Sequence, residues 1–165
     1  MQKNQQRESL ERRLSAIAVP EERYRADIDL HDRSLAFSAE LLRLTLGGIA
    51  VVGFVVAQFP EPTLRVVFND SVIKALLAAS LVAFAVSAGF ALLHRFYAGG
   101  AAFHHLEVIK LLLLDDAADE DRLEHALTQR TALFLRCHRF LTLASGLLIV
   151  GAALVGGAFI RLLFA

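Results

Sequence analysis

The chain has 165 residues, 56% of them hydrophobic, with 17 Lys+Arg balanced by 17 Asp+Glu. That is too apolar for an ordinary soluble domain, and zero net charge removes the electrostatic drive toward nucleic acid. A single cysteine, Cys137, excludes an intrachain disulfide and a cysteine-based zinc site.

Residues 1–19 are charged, with Leu10, Leu14 and Ile17 at helical spacing. They read as a short amphipathic helix on the cytoplasmic side of a membrane, and no signal peptide is expected there. Pro20-Glu21-Glu22 marks a helix start, with proline in the first turn and acids at the positive end of the dipole. Tyr24, Ile28, His31 and Leu35 then recur on one face. Asp27 and His31 are i, i+4 neighbours, so the acid favours imidazolium and the pair is a candidate pH-sensitive contact. Apolar residues 41–59 form the first span, and Pro60-Glu61-Pro62 ends the helix, predicted over 20–59.

The connection 60–71 reads as a short loop. Asn69-Asp70-Ser71 caps a second helix over 71–114, which carries the second span at 72–93. Gly99-Gly100 reads as a kink or weakened turn. Asp115-Asp116-Ala117-Ala118-Asp119 makes a tight connection. Asp119, Glu120 and Asp121 open a third helix over 119–165, with Leu123, Leu127, Phe134 and Leu141 at helical spacing and the third span at 140–164. The expected fold is an all-α integral membrane protein: a three-span helical domain over 20–165 with a cytoplasmic helical hairpin at 94–139.

Orientation follows from basic residues. Segment 1–40 holds Lys3, Arg7, Arg12, Arg13, Arg23, Arg25 and Arg33; segment 94–139 holds Arg95, Lys110, Arg122, Arg130, Arg136 and Arg139; segment 60–71 holds only Arg65. The N-terminus and the hairpin are therefore expected in the cytoplasm, and the C-terminus on the periplasmic or extracellular side. The Ala/Leu/Val/Arg-rich composition suits a bacterial inner membrane.

Functional motifs are sparse. There is no G-x-S-x-G, H-E-x-x-H, P-loop or glycine-rich dinucleotide turn, so neither catalysis nor a cofactor is expected. Spans without Asp or Glu argue against proton- or cation-coupled transport. Arg43, Lys74, Arg161, Arg95, Arg136 and Arg139 lie at span ends, as lipid-headgroup contacts or as rings at the mouths of an anion-tolerant oligomeric pore. His94 and His138, level on facing helices, are the candidate pair for haem or metal, while His104 and Glu107 are i, i+3 neighbours. Ala75, Ala79, Ala83, Ser87 and Ala91 repeat every four residues, a small-residue stripe that invites close helix contact. The leading expectation is a non-enzymatic homo-oligomeric scaffold with a cytoplasmic docking surface. Membrane lipids, further copies of the chain and a cytoplasmic protein are its expected partners. A channel or membrane-permeabilising effector is the second expectation, and a histidine-based haem or metal protein the third.

Overall fold

The computed structural model describes residues 25–114 and 120–164. These form four helices: α1 (Arg25–Gln58), α2 (Glu61–Asn69), α3 (Ser71–Leu114) and α4 (Glu120–Leu163). The expected amphipathic helix over 1–19, the helix start at Pro20 and the connection 115–119 lie outside the described residues. α1, α3 and α4 are each long and apolar enough to cross a membrane, so the all-α, three-span fold class holds. At 1.5 Å per residue the 44 residues of α3 extend about 66 Å, roughly twice a hydrocarbon core.

The connection expected as a loop is instead the nine-residue helix α2. Pro62 sits in its first turn, where a missing N–H costs no hydrogen bond, so proline starts this helix as well as ending α1. Asp70 then caps α3. Its Oδ1 accepts from the Val72 and Ile73 amides at 2.8 and 3.3 Å. No break occurs at Gly99-Gly100, where α3 stays helical throughout.

The chain divides into two compact units, Met1–Ser34 with Phe96–Arg136, and Leu35–Arg95 with Cys137–Ala165. In the second unit the inward positions alternate at spacings of three and four. They are Ser38, Leu41, Thr45, Gly48 and Val52 on α1, Ser80, Phe84, Ser87, Ala91 and His94 on α3, and Ala144, Leu148, Gly151, Val155 and Ala158 on α4. A mean period of 3.5 is that of left-handed helix packing. Leu41, Ala91 and Ala144 make one core cluster; Val67, Ile73 and Ala158 make another.

Between these clusters the Phe84 ring lies against two glycines. A Cβ on Gly48 would stand 2.8 Å from the ring, and one on Gly151 would stand 2.7 Å from it. No larger residue fits either place unless the ring moves. Buried hydroxyls are satisfied locally or across helices. Ser38, Thr45 and Ser80 donate to carbonyls of their own helix, and Ser87 Oγ donates to the Ala144 carbonyl of α4 at 2.7 Å.

Gly48→Val and Gly151→Val are each expected to destabilise the fold by about 1–3 kcal/mol through overpacking against Phe84. Gly47→Ala, whose Cβ would meet open space, should be neutral or stabilising by up to about 1 kcal/mol. Reversible unfolding in mixed micelles distinguishes these outcomes.

Candidate functional site

In the hairpin unit the inward positions keep the three-four alternation but change in chemistry. Ala98, Ala101, His105 and Val108 face inward on α3, with Leu123, Ala126, Arg130 and Leu133 on α4. Val108, Leu111 and Ala126 form the apolar cluster, with Leu123 against it. His105 and Arg130 thus occupy seam positions otherwise taken by small or aliphatic residues. Such polar seam residues fix helix register at some cost in stability.

Three helices meet at the His105 ring. Nε2 lies 2.8 Å from Asp27 Oδ2 on α1, and Nδ1 lies 3.2 Å from an Arg130 guanidinium nitrogen on α4. A guanidinium only donates, so Nδ1 accepts and the ring proton sits on Nε2, donated to Asp27. Sequence spacing pairs Asp27 with His31 on its own helix. Asp27 is bonded across the unit to His105, 78 residues away, instead of to the next turn of its own helix. A second polar group lies beside it. His104 Nδ1 is 3.4 Å from Glu107 Oε2, and Arg122 donates to Glu107 Oε1 at 3.3 Å.

The other candidate residues separate. His94 is buried at 1% exposure, whereas His138 is exposed on α4, one residue after buried Cys137. An axial ligand pair needs both rings in one pocket, and these two face different surroundings. Among the described residues no group of three or more His, Cys, Asp or Glu is placed to hold a metal ion. Arg43 pairs with Glu40 at 2.7 Å. Arg161 pairs with Asp70 at 3.2 Å. Both pairs stay within the chain. Lys74, Arg95, Arg136 and Arg139 are exposed.

The small-residue stripe also divides. Ala83, Ser87 and Ala91 are buried inside the chain, while Ala75 and Ala79 are exposed. A four-residue step advances about 400°, so the stripe drifts about 40° per step and leaves the seam. On α4, Leu127 and Phe134 are exposed, and the inward face lies one residue earlier, at Ala126 and Leu133.

Two outward features do not follow from sequence spacing. In the second unit a Cβ on Gly47, Gly53, Gly89, Gly146 or Gly156 would have no neighbour within 4 Å, so at each position the chain leaves room that a side chain could fill. In the hairpin unit Phe96, Phe103, Leu112 and Leu135 are each more than half exposed, at 77, 66, 62 and 56%. Comparison with protein-family models, curated proteins and solved structures finds no match to this chain.

Asp70 generates a pH prediction. The Val72 amide is the main influence holding its carboxyl below the ordinary value of 3.8; partial desolvation opposes, and the Ile73 amide and Arg161 add to the lowering. A depressed folded-state pKa means the contribution is complete above 3.8 and is lost as pH falls through the lower value. Asp70→Asn keeps a cap but cannot titrate. The stability advantage of wild type over Asp70→Asn should therefore shrink below about pH 4, measured by unfolding midpoint against pH. An advantage independent of acid would contradict this role.

Proposed function

We propose that the chain is a non-enzymatic integral membrane protein that assembles as a homo-oligomer and offers its helical hairpin as a docking surface. The observation that carries this reading is the set of outward glycines. A glycine inside a helix costs roughly 1 kcal/mol relative to alanine, and at Gly47, Gly53, Gly89, Gly146 and Gly156 no close approach within the chain requires the missing Cβ. Lipid gains nothing from a glycine in place of a larger apolar residue. A neighbouring helix does, because the backbones approach more closely.

Spacing supports the same reading. On α3, Ala75, Ala78, Val82, Ala85, Gly89 and Leu92 alternate at three and four residues on the face away from Phe84 and Ser87. On α4, Gly146, Ile149, Ala153, Gly156 and Ile160 do likewise. These are second seams, small enough for helix contact and with the period of left-handed packing. The candidate interface thus keeps Ala75 from the four-residue stripe and moves away from Ala83, Ser87 and Ala91.

The excess of Lys and Arg in segments 1–40 and 94–139 favours a cytoplasmic hairpin and a periplasmic C-terminus in a bacterial inner membrane. Phe96, Phe103, Leu112 and Leu135 would then face water, where exposed large apolar groups mark a surface for a protein partner.

Two measurements test the proposal. Gly89→Leu and Gly156→Leu should reduce the oligomer mass measured by light scattering in detergent while leaving the unfolding free energy within about 0.5 kcal/mol of wild type. In a Cys137→Ala background, Ala85→Cys should crosslink between subunits and Ala83→Cys should not. A monomeric wild type, or crosslinking through Ala83, would sink the assembly reading. For orientation, a reporter inserted at Ala117 should read cytoplasmic and one fused after Ala165 periplasmic; both on one side would refute the topology.

A further inference from the structure

The hairpin unit holds one titratable ring whose two nitrogens are bonded to groups with opposite demands. Asp27 accepts and Arg130 only donates, and the neutral Nε2–H form of His105 is the protonation state that satisfies both. The ring is mostly buried, at 17% side-chain exposure, and its Arg130 contact is part-buried, whereas Asp27 is exposed to water.

We propose that His105 is a protonation-controlled latch joining α4 to α1 and α3 in the hairpin unit. Protonation places an N–H on Nδ1, aimed at a guanidinium that cannot accept it, and sets two cations side by side. Arg130 must then leave the ring. On the opposite edge the Nε2–H···Asp27 bond becomes an ion pair and tightens. Acid therefore converts a three-helix link into a two-helix link, loosening α4 while holding α1.

Among the described residues Arg130 has no carboxylate partner, and His105 is its one hydrogen-bond acceptor. From α1 the ring meets Asp27, with His31 one turn further on. From α4 it meets Arg130. On α3 its neighbour His104 has Nδ1 3.4 Å from Glu107 Oε2 without a hydrogen bond to it, and Glu107 also holds Arg122. Lys110 on α3 is half-buried and basic, and Asp29, Asp32, Arg33, Glu124 and His125 are exposed to solvent.

Hydrogen exchange on the full chain in detergent, read at about pH 8 and about pH 5.5 across the histidine range and corrected for intrinsic rates, tests the latch. Wild type should lose protection over residues 121–136 on acidification by roughly tenfold, the scale of a lost hydrogen bond to a charged group. Residues 25–34 should keep theirs. His105→Gln supplies a fixed acceptor for Arg130 and a fixed donor for Asp27, so its protection should not change with pH. Arg130→Gln should lose the response too, because its amide can turn to accept or donate. The latch is overturned by an unchanged wild type, or by either variant keeping the wild-type response.

Discussion

Close approach of helix backbones is the condition on which the apolar part of this protein depends. In hydrocarbon every backbone N–H and C=O must be satisfied within the segment, which selects helices. Lipid chains are as apolar as leucine, so burying leucine does not draw those helices together. Association then depends on packing and on polar contacts. Phe84 against Gly48 and Gly151 meets the first need, with an aromatic ring filling the space that two missing side chains leave. Ser87 meets the second by donating to the Ala144 carbonyl on α4.

The two units solve the packing problem with different chemistry. In the Leu35–Arg95 and Cys137–Ala165 unit the inward positions apart from His94 are small, apolar or hydroxylic, and three of the buried hydroxyls return their hydrogen bonds to their own helix. They add volume and polarity without creating an unmet charge. In the hairpin unit an acid, an imidazole and a guanidinium share one bonded chain across three helices. Half-buried ionic groups contribute little net stability, because desolvation offsets attraction. Their value is specificity: they work in one register and one protonation state.

The outer surface carries the functional argument. Large apolar residues such as Leu44, Phe54, Ile149 and Ile160 face outward, as lipid contact requires. Glycines among them are not explained by lipid, and that asymmetry underlies the proposed assembly. The basic residues at span ends are less informative than their positions promise. Arg43 and Arg161 have carboxylate partners within the chain, so their charges are partly neutralised there and are weaker attractors for an anion or a lipid headgroup.

Local physics accounts for much of this architecture. The three long apolar helices, the Asp70 cap and the start of Ser71–Leu114 follow from apolar run length, capping chemistry and turn residues, all properties of adjacent positions. The inward face of each helix does not follow. α3 is apolar on nearly every side, so no amphipathic contrast marks its buried face, and a four-residue stripe rotates off a seam that repeats every 3.5 residues. Ala83, Ser87 and Ala91 are buried where stripe and seam overlap; Ala75 and Ala79 lie on the stripe alone. Asp27 likewise has a plausible local partner in His31, and only the packing of three helices brings His105 to it from 78 residues away. Sequence determined the three long helices, though not the short helix Glu61–Asn69, because long apolar runs and their caps depend on neighbours along the chain. Tertiary structure decided which residues meet, because helices of nearly uniform hydrophobicity find their contacts by shape and by hydrogen-bonding capacity.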